Sequence, residues 1–217
     1  MRGRDPIDHT SLMAAAMVIL DAGGFEGLTL SRVAAQLGVG PSALYTHVDG
    51  LSGLHHAAGV EATRRLTIEV RDAAIGRAGD DAVRSVADAY RAYANRHPGR
   101  MTAALRAVDS DAAMDEANAE LDAVFVLLGE ARGLSGPGAG STARNVRRSI
   151  HGFVVVEHST GDDDRAERDY RELIESLCSI LSAHEEVPRN GTPGKLQGRL
   201  TSSASDRTSS RRSESSG

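Results

Sequence analysis

Several stretches of this chain carry residue types that do chemistry. GPGAGST, residues 136–142, is rich in glycine as phosphate-cradling loops are. No lysine follows it and no strand-like run precedes it, so it lacks the charge and the setting of such a loop. GLSG at 133–136 lacks the spacing of a serine nucleophile on a strand-to-helix elbow. His55 and His56 are adjacent, point about 100° apart on a helix and make poor joint metal ligands. His151 and His158, seven apart, can share a helix face, with Glu157 and Asp162 to Asp164 nearby, a set of metal-ligand types. The three aspartates read better as caps for the helix that follows, where they complement its dipole. Cys178 lies on an apolar stripe and reads as a small core hydrophobe. No nucleophile, base and orienting group converge, so the sequence predicts no enzyme, no cofactor and no metal.

The bulk composition narrows what must position any site. Of 217 residues, 40% are apolar and 3% aromatic, so the core is built mostly from Ala, Val, Leu and Ile, which suits closely packed helices. The single cysteine precludes an internal disulfide and fits a reducing compartment. No apolar run approaches the roughly 20 residues of a membrane-spanning helix, and MRGRDPIDHT lacks the apolar centre of a secretory signal. A cytoplasmic protein is expected. The net charge is −5, and residues 1–60 hold three arginines against five acids. That balance counts against nucleic-acid binding by the N-terminal part.

Apolar residues at three- and four-residue spacing predict a helix over 7–22, begun by Pro6 and ended by Gly23 and Gly24. A second helix, capped by Thr29 or Ser31, runs to Leu37. Gly38 breaks it, and a third runs from Pro41 to His47 or Val48. A fourth spans about 51–74, weakened by Gly53 and Gly59. Further helices are expected at 80–96, stopped by HPGR, then at 101–107, 112–132, 141–159 and 165–184. FVVVE at 153–157 reads as buried helix. The fold class is all-α. Residues 188–217, with six basic residues against two acidic ones and abundant Ser, Gly and Thr, form a disordered basic tail.

LSRVAAQLGVGPSALYTHVDG, residues 30–50, suits a helix-turn-helix. Ala34 and Ala35 let the helices cross closely. Gly38 tolerates the left-handed backbone of the turn. Val33, Leu37, Val39 and Leu44 fill the small core between. The outward face then carries Ser42, Tyr45, Thr46 and His47, which can hydrogen-bond bases or phosphates.

Residues 12–54 resemble the DNA-binding domain of the TetR family of bacterial transcriptional regulators. The resemblance rests on the Gly-Phe after the first helix, the Leu-Thr opening the second, VAAQLGV, and LYTHV followed by Leu54. It implies a ligand-responsive, repressor-like protein of about nine helices that binds a near-palindromic operator as a homodimer. It also implies phosphate contacts by Thr29 and Ser31, backbone contacts by Tyr45 and His47, and base contacts by Pro41, Ser42, Ala43 and Thr46. The family usually has Phe at the position of Val48 and Lys at that of Leu51, so one phosphate contact is missing here. The domain division expected is 1–50 for DNA, 51–187 for ligand and dimerisation, and 188–217 for the tail. The competing reading is a helical ligand-binding or scaffold protein that kept the fold and lost DNA binding.

RRSIHGFVVVEH at 147–158 is similar to the C-terminal domain of one subgroup of this family, which carries a late His-Gly helix. Ser149 and Ile150 stand where an aromatic is usual. The last two helices carry more apolar surface than one neighbour covers, which suits a four-helix dimer seam. Phe153, Val156, Leu173, Leu177 and Ile180 are its candidates, or else they face the chain's own core. A small-molecule pocket is expected among Tyr90, Tyr93, Met101, Leu105, Met114, Phe125, His151 and Val155, apolar with a few polar anchors. His151 reads as a hydrogen-bonded core histidine, a ligand anchor or a dimer contact.

Overall fold

The computed structural model describes residues 7–107, 111–136, 138–160 and 163–182. Among them are eight α-helices: α1 His9–Gly23, α2 Leu30–Leu37, α3 Gly50–Ala74, α4 Gly79–Arg96, α5 Pro98–Arg106, α6 Ala112–Glu130, α7 Ala139–Thr160 and α8 Asp163–Ser182. Two short 3-10 segments, Phe25–Gly27 and Pro41–Thr46, join the first three helices. The described residues contain no strand, and no helix among them is long and apolar enough to cross a membrane.

Local signals set these ends. Asp8 caps α1: its carboxylate accepts from the Ser11 amide at 2.7 Å, and the Ser11 hydroxyl accepts from the Asp8 amide at 3.1 Å. Thr29 caps α2 through the Arg32 amide at 3.3 Å, a contact worth about 1 kcal/mol. Gly38 ends α2 with φ at +68°, the left-handed geometry that a Cβ disfavours. Helix α4 ends at Arg96, just before HPGR, as expected, but the next helix starts earlier than the expected 101. Only His97 lies between α4 and α5, because Pro98 supplies the first turn of α5. The expected helix at 41–48 is a six-residue 3-10 segment, bonded from Ala43 N–H to the Gly40 carbonyl at 3.0 Å and from His47 N–H to Leu44 at 2.9 Å. A segment this short satisfies more of its backbone with i to i+3 bonds than with a single α turn. Pro6, Asp162 and the tail lie outside the described residues, and with them the roles expected of them.

Two main apolar cores form, and α3 belongs to both. Its first half gives Leu54, Ala58 and Ala62 to a core with Leu12, Ala16 and Leu20 of α1, Val33 and Ala34 of α2, Leu44, and Ala103 of α5. Its second half gives Leu66 and Val70 to a larger core with α4, α6, α7 and α8. Gly59, far from weakening α3, permits its tightest crossing. A Cβ there would strike the Ala107 side chain and lie 2.7 Å from the Ala103 carbonyl oxygen.

Candidate functional site

The helix-turn-helix is assembled as the residue types require, with one exception. Val33, Ala34 and Leu44 are fully buried, Leu37 and Val39 pack against them, and Ala35 faces solvent, so Ala34 alone makes the close crossing. Because Leu44 and Val48 point inward, the residues between them point out. Tyr45 is 62% exposed, and Thr46 and His47 are exposed beside it. Pro41 and Ser42 are exposed and Ala43 is half-buried. The Thr46 hydroxyl donates to the Ala43 carbonyl at 3.1 Å, which fixes its rotamer. Ser31 is exposed. Thr29 is half-buried, and its hydroxyl hydrogen stays available to a phosphate while its oxygen caps α2. Leu51 stands 44% exposed at the start of α3.

The charge balance of residues 1–60 looks different in three dimensions. Asp21 meets Arg100 at 2.5 Å and His97 at 2.9 Å, and Glu26 meets Arg106 at 2.7 Å. Arg106 also lies over the Phe25 ring, 4.8 Å from its centroid. Helix α5 and the residue before it thus neutralise two of the five acids counted against DNA. The sequence window could not include these cations, which lie some 80 positions downstream. Arg32 instead donates to the Gly27 carbonyl at 3.0 Å and holds the turn after α1.

A cavity of about 180 Å³ opens beside α5 and between α3, α4, α6 and α7. Of the eight expected pocket residues, Tyr90, Met101, Leu105 and His151 line it. The other four do not. Tyr93 is buried with its hydroxyl donating to the Ala62 carbonyl at 3.1 Å. Met114 packs in a small cluster with Val60 and Ala117. Phe125 belongs to the larger core, and Val155 is exposed on α7. Thr63, Leu66, Ala104, Asn118, Leu121 and Arg147 complete the wall. Arg147 was legible, since it precedes His151 by four residues and shares its helix face. The Tyr90 hydroxyl and His151 Nδ1 are 2.7 Å apart, and Arg147 pairs with Asp122 at 2.5 Å. Burial, and secondarily the Arg147 charge, hold the His151 ring below the usual imidazole range. Burial pushes the Tyr90 phenol up, so it stays protonated.

Of the expected seam, Leu177 is buried in the chain's own core, because its stripe on α8 turns toward α4 and α7. Phe153 and Leu173 are half-buried against the same core, with Phe153 5.5 Å from the Tyr170 ring. Val156 and Ile180 are the exposed members, at 59% and 47%. His55 and His56 have separate partners: the Leu28 carbonyl at 2.9 Å and Asp111 at 3.0 Å.

Comparison with known proteins adds the following. Residues 12–49 match the family model described as bacterial regulatory proteins, tetR family. Residues 83–181 match the model of a tetracyclin repressor-like C-terminal domain. The chain is 33% identical over 160 residues to the HTH-type transcriptional regulator Rv0681 of Mycobacterium tuberculosis, covering 73% of each protein. It shares its fold with BioQ of Mycobacterium smegmatis at a TM-score of 0.63 and 24% identity, covering 82% of this chain and 99% of the other. BioQ bound to its double-stranded DNA operator has the same fold, at a TM-score of 0.58, 24% identity and the same coverage.

Proposed function

This chain belongs to the TetR family of bacterial regulatory proteins, and from that premise we propose that it is a ligand-responsive repressor of the cytoplasm. It binds a near-palindromic double-stranded DNA operator as a homodimer and releases it when a small molecule enters the cavity. Residues 1–50 serve DNA, and residues 51–187 serve the ligand and the partner subunit.

One observation carries this reading: Tyr45, Thr46 and His47 stand outward on a platform whose inward residues, Leu44 and Val48, are buried. A short rigid segment presenting three hydrogen-bonding side chains fits a major groove. Thr29, Ser31, Tyr45 and His47 meet phosphates, and Pro41, Ser42, Ala43 and Thr46 meet base edges. The exposed Val156 and Ile180 form the dimer seam with the rims of Phe153 and Leu173.

Helix α5 couples the two ends. Its inner face supplies Met101, Ala104 and Leu105 to the cavity, while Arg100 and Arg106 hold Asp21 and Glu26 of the DNA-binding part. A ligand that shifts α5 therefore re-aims the recognition segments, which in a dimer must meet half-sites about 34–36 Å apart. Release by 100-fold needs a preference for the shifted form of about 2.7 kcal/mol.

The second reading, a family member that no longer binds DNA, is favoured by Leu51 at a position suited to a phosphate-binding cation. Titration of fluorescent random-sequence DNA against ionic strength separates the two. A repressor loses affinity steeply as salt rises, and footprinting of the DNA flanking its gene shows a protected inverted repeat. Failure to retard any flanking DNA at low salt favours the second reading.

A further inference from the structure

The cavity beside α5 has both apolar and polar groups in its lining. Leu66, Met101, Ala104 and Leu121 are among its apolar lining, and Tyr90, His151, Arg147 and Asn118 are among its polar lining. Resting on the regulatory reading above, we propose that the effector is a compact organic monoanion: one carboxylate on a single ring or a short branched apolar body.

Size sets the body. The cavity holds about 180 Å³, and an apolar cavity of about 150 Å³ accommodates benzene. One ring with one substituent fills it, and a fused polycycle does not fit without opening the helices.

Charge sets the substituent. The charge felt at both the Tyr90 hydroxyl and the His151 ring is that of the Arg147 guanidinium. Asp122 Oδ1 lies 2.5 Å from Arg147 Nε, and a guanidinium carries five N–H donors in all. The His151 ring is held neutral. The Tyr90 hydroxyl lies 2.7 Å from its Nδ1; in the tautomer in which the phenol donates, the hydrogen of the ring sits on Nε2, as a donor. A guanidinium, an imidazole N–H and the amide of Asn118 are a donor set for an acceptor-only group, which an ionised carboxylate is. Helix α5 supplies Met101, Ala104 and Leu105 to the same lining, so the acid's body presses on the element that holds Asp21 and Glu26.

The test is isothermal titration of the full-length protein at near-neutral pH with benzoate and with its neutral isostere benzamide. Benzoate binds at least about tenfold more tightly, the worth of a charge-assisted hydrogen bond, and in Arg147→Gln the two probes bind alike. Arg147 also ties α7 to α6, so the melting of this variant is followed by circular dichroism. Ala104→Phe fills the cavity while leaving the Arg147–Asp122 pair in place, and it abolishes benzoate binding; it decides the matter if Arg147→Gln does not fold. Benzamide binding as tightly as benzoate, benzoate binding to Ala104→Phe, or binding of neither probe overturns the proposal. Retardation of random-sequence DNA by the same preparation tests the regulatory reading separately. DNA retarded without acid binding removes the effector class alone, and acid binding without DNA retardation removes the operator alone.

Discussion

The carbonyl oxygen of Leu20, in the last turn of α1, occupies the space that a Cβ on Gly99 would need, and the Gly24 backbone closes the same gap at 3.0 Å. Helix α5 therefore starts in backbone contact with the end of α1. Gly99→Ala forces these two backbones apart, because neither obstacle is the movable end of a side chain. Urea unfolding of this variant shows a loss of about 2 kcal/mol. A loss below about 0.5 kcal/mol would mean that the contact gives way easily and that α5 is not seated on α1.

Leu51→Lys places a cation where the recognition segment meets the next helix. The side chain is already exposed, so the substitution leaves stability within about 0.5 kcal/mol. Affinity for random-sequence DNA rises, and the slope of log affinity against log salt steepens by about 0.9, the signature of one added phosphate contact. Tyr45→Ala acts in the opposite sense, weakening binding to all sequences with little change in melting. An unchanged slope in Leu51→Lys places this corner away from the phosphates.

Arg91 donates to both Glu157 and Glu167 and lies 4.2 Å above the Tyr170 ring, tying α4 to α7 and α8. Its side chain and that of Glu157 are largely buried. Arg91→Ala removes this guanidinium from the largely buried Glu157 carboxylate and costs about 3 kcal/mol. Arg91→Lys recovers only part of this, since an ammonium cannot serve two carboxylates and a ring face together. Chemical denaturation of both variants measures the difference.

Stability falls as the solution is acidified through the histidine range. The His151 ring is disfavoured as a cation in the fold, by burial first and by Arg147 second. The unfolded chain takes up that proton near pH 6.5, the ordinary value, before the folded chain does. The unfolded state then binds more protons, so stability is full above this pH and declines below it. Asp8 and Glu167, held below the usual carboxylate range by the Ser11 amide and by Arg91 respectively, add their loss at much lower pH. In His151→Gln the decline just below pH 6.5 is shallower. An identical decline in both proteins would assign it to other histidines.

The sequence carried the elements and the helix-turn-helix because both depend on neighbours in the chain. Gly38 before Pro41, and Leu44 and Val48 four apart, define turn and platform without reference to anything distant. Tyr93, Phe125 and Leu177 show where this kind of reading stops. Each lies on an apolar helical face, and apolar faces meet cavity, core or partner with the same periodicity. Which one Tyr93 meets depends on the Ala62 carbonyl, 31 residues earlier and on another helix. The pairing of Asp21 with Arg100 was hidden for the same reason. A carboxylate in one window and a guanidinium in another have no relation until the helices pack.

Because α3 is embedded at one end in the core around Leu12 and at the other in the core around Tyr90, the DNA-reading part has no boundary at which the chain can be cut. Cleavage after residue 74 removes Ala103 from beneath α1 and leaves Asp21 and Glu26 uncovered. The platform of Leu44 and Val48 shares its core with the first half of α3, whose second half lies in the far core, so a lesion that melts the far core is expected to destabilise the near one as well.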